Sequence, residues 1–450
     1  MFDLDIEIDP LTNRVYLGEY YNLCFVYRDR PSLARARFIS RIQWGLGRLA
    51  KEFPWITGQV QHDGYTDQGA KKYKIIPFQV TPRFQFEDLQ NTSSEDFKDI
   101  KGEDFPMDWI NGNHIPIQEP LTGGPSPSPV MELKFTIEPG ASILTISMSS
   151  KVVDRTGLII MARMLVKACI QGKPSPLDLS KTEKHAAFFN NDKRERRHDR
   201  IPVRILPADL QSAHSPSFKA KAISWALFSF DREAVRGIEG LVSGDSPSQY
   251  LVDTDQVFTA FVFRSLCCAR DGRLTSPSGW TARCFRTVDA RNARGARTQA
   301  DEAEGIHFGA LQHMTCSSFT NPSTMSIGRI ATDLYRASSP FVLSQDVEHF
   351  VFNSGNPAFS SDAIFNPEQD VAVVSWADVE CKNPDYMLTH GWSPQCIRVP
   401  SHLPASKGLV YLMPRRAEDE MTVALSLRKT DLESLLTLSD WVERAKYAAW

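Results

Sequence analysis

The chain has 450 residues, 42% of them apolar and 23% charged, with a formal net charge of −3 at pH 7. Such fractions belong to a globular protein with material for two or three domains. The near-neutral, slightly acidic balance argues against a nucleic-acid partner, which would want a basic face. No apolar run approaches the roughly 20 residues of a membrane-spanning helix. The opening Met1-Phe2-Asp3-Leu4-Asp5 has neither the basic nor the apolar region of a signal peptide, so a cytoplasmic, monomeric protein is expected. The eight cysteines are scattered without a C-x-x-C pair and read as buried free thiols. The ten histidines show no spacing suited to a metal.

In chain order, Asn13 to Val26 suggests a strand. Pro31-Ser32 then opens a helix whose Phe38, Ile42, Leu49 and Phe53 fall at multiples of three and four, and Pro54 ends it. Pro54 to Val60 turns into another strand. From Asp88 to Pro129 the chain is polar and rich in Pro, Gly and Ser, which predicts long loops. Met131 to Phe135 and Ile143 to Met148, joined by Pro139-Gly140, predict a hairpin. Leu158, Met161, Leu165 and Cys169 then predict a helix stopped by Gly172.

A polar segment follows to about Ser217, with a mixed-sign run from Asp192 to Arg200 that reads as a solvated crossover. The expected division is residues 1–195 as one domain, 196–216 as linker and 217–450 as a second domain. In the second half, strands are predicted at Phe218 to Phe230, Arg283 to Ala290, Asp370 to Trp376, Leu409 to Met413 and Met421 to Leu427. Helices are predicted after Asp231, from Asp253 or Thr254 to Arg270, around Ile327 to Ala337, and from Asp431 to Tyr447. Asp253 with Gln256 fits a capping box.

The informative stretch is Ile143 to Gly157: a strand, a polar turn with Asp154 beside Arg155, then the helix. Asp154 or Thr156 suits a helix cap. This stretch, with Leu46 to Gly58, Asp255 to Arg264, Val288-Asp289-Ala290-Arg291 and the closing segment from Leu427, resembles the BAHD acyl-CoA-dependent acyltransferase superfamily, in the fungal branch near trichothecene 3-O-acetyltransferases. The resemblance runs most of the length. It implies an α/β fold of two similar chloramphenicol-acetyltransferase-like domains with a channel between them. In the family's His-x-x-x-Asp signature the histidine removes the acceptor's proton during attack on the thioester. Its aspartate pairs with an arginine. Asp154 falls on that aspartate and Arg291 on that arginine, and Gly157 completes the structural motif.

Two departures follow. Ser150 stands in the place of the histidine, with Ser149 beside it, and a serine hydroxyl cannot serve as a base near neutral pH. The family's Asp-Phe-Gly-x-Gly signature is replaced by Leu388-Thr389-His390-Gly391-Trp392-Ser393-Pro394, of which only Ser393-Pro394 and the later Arg398 fit. A Ser150–Lys151 dyad is geometrically poor because neighbours at a strand end face opposite ways. His390 acting as base from the second half, with Trp392 in the channel, is a further possibility on this reading.

The expectation is an enzyme on the acyltransferase fold that no longer transfers acyl groups. It would need no cofactor, would bind acyl-CoA weakly or not at all, and would cyclise or rearrange a hydrophobic small molecule, with Ser149 and Ser150 as hydrogen-bond donors. The alternatives are an acyl-CoA-dependent O-acyltransferase using another base or a very reactive acceptor, and a non-catalytic metabolite-binding protein.

Overall fold

The computed structural model describes residues 4–8, 20–65, 71–91, 109–116, 128–170, 223–242, 252–274, 279–291, 309, 311–353, 365–387, 393–400, 407–417 and 420–449. In chain order the first half contains β1 (Ile6–Glu7), β2 (Tyr20–Arg28), α1 (Ser32–Glu52), β3 (Gln59–Tyr65), β4 (Lys71–Ile76), β5 (Arg83–Asp88), β6 (Met131–Glu138), β7 (Ala141–Ser149) and α2 (Arg155–Ile170). The second half contains β8 (Ile223–Phe230), α3 (Arg232–Gly240), α4 (Thr254–Leu274), β9 (Thr281–Asp289), β10 (Gln312–Thr320), α5 (Ile327–Ala337), α6 (Pro340–Asn353) and β11 (Val371–Ser375). Then follow β12 (Cys396–Arg398), β13 (Leu409–Leu412), β14 (Met421–Arg428), α7 (Lys429–Leu435), α8 (Ser439–Val442) and β15 (Lys446–Ala449).

Two large sheets organise these elements. The first runs β12-β2-β7-β6-β5, the second β10-β9-β11-β13-β14-β8-β15, and β1-β4-β3 form a small third sheet. Every residue of β6 and β7 is buried, because both faces of their sheet are covered. Leu144, Ile146 and Met148 face a core with Phe38, Ile42, Leu46 and Leu49 of α1 and Leu158, Met161 and Leu165 of α2. Ala141 and Ile143 face the other way, against Trp109, Ile110 and Cys396. Helices α1 and α2 approach closely at Gly45, where an added Cβ would lie 2.4 Å from the Cys169 sulfur.

The second sheet is also covered on both faces. Ala226, Phe228 and Phe230 of β8 pack with α4, whose buried side chains surround almost its whole circumference. Trp441 of α8 stacks on Phe261 with ring centroids 5.6 Å apart. The alternate residues Leu227, Phe285, Ala372, Val374, Tyr411 and Ala424 join the core of the first half. Period-two alternation thus sends one face of the second sheet towards its helices and the other towards the first half.

The expected hairpin forms, with Met131 opposite Met148 and Gly140 at φ 75° in the turn. Asp253 and Gln256 make both bonds of the capping box, and Asp231 caps α3 by accepting from the Ala234 N–H. The closing segment differs from expectation. The single helix expected from Asp431 to Tyr447 is broken into α7 and α8, and β15 follows. Thr437 turns its hydroxyl back onto the Ser434 carbonyl at 2.7 Å, and Lys446 to Ala449 pair with β8, so sheet-edge hydrogen bonds override the leucine spacing. The strands β1, β4, β5, β10 and β12 and the helix α6 are additions to the predicted elements. The chain does not separate cleanly by halves either: β12, late in sequence, pairs with β2, Ile397 opposite Phe25. The crossover from 171 to 222 lies outside the described residues.

Candidate active site

At the end of β7 the Ser149 N–H donates to the Val130 carbonyl, 2.9 Å, which keeps the last residue in the sheet. The Ser149 carbonyl then accepts from the N–H groups of Val152 and Val153 at 3.0 and 3.1 Å. This tight turn delivers Asp154 to the start of α2. Ser149 and Ser150 are both buried within it.

Asp154 is fully buried, and its carboxylate accepts four hydrogen bonds. Oδ1 accepts from the Gly157 N–H at 2.8 Å, the helix-capping bond anticipated from sequence, and from Arg291 at 2.9 Å. Oδ2 accepts from the second Arg291 nitrogen at 2.9 Å and from the Leu311 N–H at 2.8 Å. The pair is bidentate, the geometry in which a guanidinium matches a carboxylate best. Arg291 donates further to Asp289 Oδ1 at 2.9 Å and to the Gly309 carbonyl at 2.6 Å. The Thr156 hydroxyl reaches Asp289 Oδ2 at 3.4 Å. Burial pulls the Arg291 pKa down, but Asp154 and Asp289 outweigh it and raise it above its ordinary value. The loop after β7 is therefore fastened to β9 and to the start of β10 by a charge network with few free valences.

The other charges of the loop are engaged away from Ser150. Lys151 places its ammonium 4.8 Å over the Tyr73 ring. Arg155 donates to the Ser375 carbonyl and, at 2.6 Å, to Asp378. Ser375 donates through its hydroxyl to Asp255, which also accepts from Arg286. Burial pushes the Asp255 carboxyl up, yet Arg286, Ser375 and Arg155 together hold it below the ordinary carboxylate value. Two tyrosines of β2 sit beside the end of β7: Tyr20 opposite Ser149 and Tyr21 opposite Met148. The Tyr20 hydroxyl donates to the Pro129 carbonyl at 2.9 Å. The Tyr21 hydroxyl donates to Gln312 Oε1 at 3.1 Å, and its ring meets Trp376 edge-on, bridging the two halves.

Of the residues singled out from sequence, the structure brings together Ser149, Ser150, Asp154, Gly157 and Arg291. His390 and Trp392 lie outside the described residues. The end of that second signature is described: the Pro394 carbonyl accepts from the Cys381 thiol at 3.0 Å, and Arg398 is buried on β12. Sequence reasoning missed Leu311, Gly309 and Gln312. The first two act through backbone atoms, so their side chains carry no signal. Gln312 follows Leu311 into a strand that lacks a sharp periodic pattern.

Two other histidines are buried. His114 holds Glu138 at 3.0 Å, at the opposite end of β6 from Met131. His313 lies 3.8 Å from Asp346 of α6. Among the described residues, no group of three or more His, Cys, Asp or Glu side chains could hold a metal ion. No helix among them is long and apolar enough to cross a membrane.

Comparison with known proteins agrees with this geometry. Residues 20–169 match the trichothecene 3-O-acetyltransferase-like N-terminal domain. Trichothecene 3-O-acetyltransferase TRI101 of Fusarium sporotrichioides is 28% identical over 471 aligned positions, which cover 98% of this chain and 97% of that protein. O-acetyltransferase dmxR13 of Cryptosporiopsis is 24% identical over 96% of both chains. The crystal structure of F. sporotrichioides TRI101 complexed with coenzyme A and T-2 superposes with a TM-score of 0.83 at 25% identity, over 99% of this chain and 100% of that one. Vinorine synthase, at 12% identity and a TM-score of 0.64, shares the fold.

Fold and loop together define an enzyme built on a two-domain α/β acyltransferase scaffold, with a channel between two similar domains. Within that class, the chain is similar along its whole length to the fungal trichothecene 3-O-acetyltransferase-like branch of the BAHD acyltransferase superfamily.

Proposed function

We propose that the protein is an acyl-CoA-dependent O-acyltransferase that acts on a small hydrophobic acceptor in the channel between its halves. This reading takes acyl-CoA as co-substrate and so replaces the sequence-based expectation of no cofactor. The observation that carries it is the Asp154–Arg291 pair, with two bonds of 2.9 Å and a third anchor from the Leu311 N–H at 2.8 Å. The pair does no chemistry of its own. It fixes the turn that carries Ser149 and Ser150 against the second half, which is where the resemblance puts the reacting groups. Full-length likeness to O-acetyltransferases, one of them solved with coenzyme A, supports the same reading. Residues 1–195 and 217–450 would be the two domains, joined by 196–216, with β12 of the second lent to the sheet of the first.

The bound acyl thioester supplies an activated carbonyl. The protein's part is to hold the acceptor oxygen in line with that carbon, to exclude water, and to donate hydrogen bonds where negative charge grows. Ser149 and Ser150 have the hydroxyls for the last task. Incubation with acetyl-CoA and extracts containing phenolic and alcoholic metabolites tests the reading: one acyl group should appear on a single product for each coenzyme A thiol released. Turnover of an acceptor without any acyl-CoA would favour the second reading, cyclisation or rearrangement. That reading draws its support from Ser150, because pericyclic and related steps do not need a base at that place.

A further inference from the structure

Positive charge is concentrated on two stretches of a chain whose net charge is −3. Residues 28–52 and 155–222 hold 21 Lys and Arg against 8 Asp and Glu, which leaves 30 against 46 for the rest. Helix α1 sorts its share by face. Phe38, Ile42, Leu46 and Leu49 recur at spacings of four and three and are buried in the core. Leu33, Arg37, Arg41, Trp44, Arg48 and Lys51 recur at the same spacings on the opposite face and form one stripe along the helix. Arg48 is half-buried and the other five are exposed, Leu33 at 65% and Trp44 at 50%. A helix of 21 residues makes this stripe about 30 Å long. Among the described residues, no Asp or Glu forms an ion pair with Arg37, Arg41 or Lys51. The end of α2 adjoins the stripe. Arg48 donates to the Ala168 carbonyl at 2.9 Å and lies 4.6 Å from the Trp44 ring centroid, and Ile170 is exposed two residues further on. Residues 171–222, next in the chain, carry 11 Lys and Arg against 6 Asp and Glu, so they bring this face no surplus of acid.

We infer that the outer face of α1, with the end of α2, docks reversibly on an anionic lipid bilayer. The charge of the stripe excludes a second copy of the same face, since like charges would meet. Its apolar members choose the lipid among polyanions. Leu33 and Ile170 gain nothing from rows of phosphates or carboxylates, whereas the region below the headgroups takes apolar side chains and the indole of Trp44. The arginine stems can lie along the same apolar layer with their guanidinium groups at the phosphates. The stripe also runs along one convex helix, which can meet a plane along its whole length. A hydrophobic small molecule partitions into the same bilayer, so docking would bring the protein to where such a molecule collects. The inference concerns this surface alone and stands apart from the acyl-transfer reading.

The test is flotation of the full chain with vesicles of phosphatidylcholine alone or with about 30% phosphatidylserine, at about 0.05 M and about 0.5 M salt. Binding is expected to the serine-containing vesicles at low salt, and to be lost at high salt. Each cation at such a surface is worth about fivefold in partition, so Arg37→Ser with Arg41→Ser should weaken binding by about 25-fold. Trp44→Ser should weaken it with the salt dependence unchanged, because its contribution is apolar. Arg329→Ser with Arg336→Ser removes the same charge from exposed positions of α5 and should leave binding as it is. No binding to the anionic vesicles, or equal binding to phosphatidylcholine alone, would overturn the inference. So would an equal loss in the α5 pair, which would make the effect one of net charge. Tighter binding of a short RNA duplex or of polyglutamate at the same salt, lost in the Arg37 and Arg41 pair, would give the face to another partner and overturn it too.

Discussion

Asp154 and Arg291 stand 137 positions apart in sequence and meet through two hydrogen bonds of 2.9 Å, with the carboxylate wholly buried and the guanidinium nearly so. One pair therefore joins the turn after β7 to the second sheet. The need is one-sided: without Arg291 the buried Asp154 would keep only the Gly157 and Leu311 N–H donors, whereas Arg291 would still hold Asp289 and the Gly309 carbonyl.

Replacing Arg291 with methionine should destabilise the fold by about 3–5 kcal/mol, because it leaves the Asp154 carboxylate buried with only two backbone donors. Arg291→Lys should recover little, since an ammonium cannot reproduce the fork. The double variant Asp154→Asn with Arg291→Met should lose less than the sum of the single losses. Urea denaturation of all four variants checks this, and additive losses would mean the two residues act independently.

Ser150 tests the hydroxyl cradle. Ser150→Ala should lower turnover by no more than about 10²–10³, the usual value of one donor to developing charge. Ser150→Trp should abolish turnover, because a buried turn has no space for an indole. Circular dichroism must show both variants folded. Complete inactivity of a folded Ser150→Ala would mark the residue as a nucleophile instead.

Glu368 gives a pH signature. Burial pushes its carboxyl up, but hydrogen bonds from Lys407 and Arg428 win and hold it below the ordinary glutamate value. A lowered folded-state pKa contributes stability that is present above the unfolded value of about 4.3 and is lost as pH falls through the folded one. Glu368→Gln should thus be less stable than the wild type at pH 7, with a gap that narrows as the pH falls below the unfolded value of about 4.3. Thermal melts from pH 7 downwards read the difference. A gap that stays constant over the whole acid range would assign the effect to packing.

The thiols should be inert in the native protein. Burial pushes Cys24, Cys169, Cys284 and Cys381 up to about 12 and Cys316 to about 11. All eight cysteines are free. A disulfide reagent at pH 8 should label none of these five at an appreciable rate, then all eight on addition of guanidinium. Rapid labelling of any of the five in the native state would show that its core opens locally.

Sequence by itself determined most of the elements: the apolar periods of α1, α2 and β7, the Pro139-Gly140 turn, and the caps at Asp231 and Asp253 all follow from local chemistry. It also determined the identities at the key turn, Ser149, Ser150 and Asp154, and the resemblance that pointed to Arg291. Tertiary structure alone decided what those residues touch. Nothing local selects the Leu311 N–H or the Gly309 carbonyl, since any residue carries a backbone donor and acceptor, and only the fold aims these at Asp154 and Arg291. The broken closing helix has the same cause. Leucine spacing from Leu432 to Leu438 suits a helix, but the free edge of β8 offers Lys446 to Ala449 a ladder of hydrogen bonds that no sequence window contains.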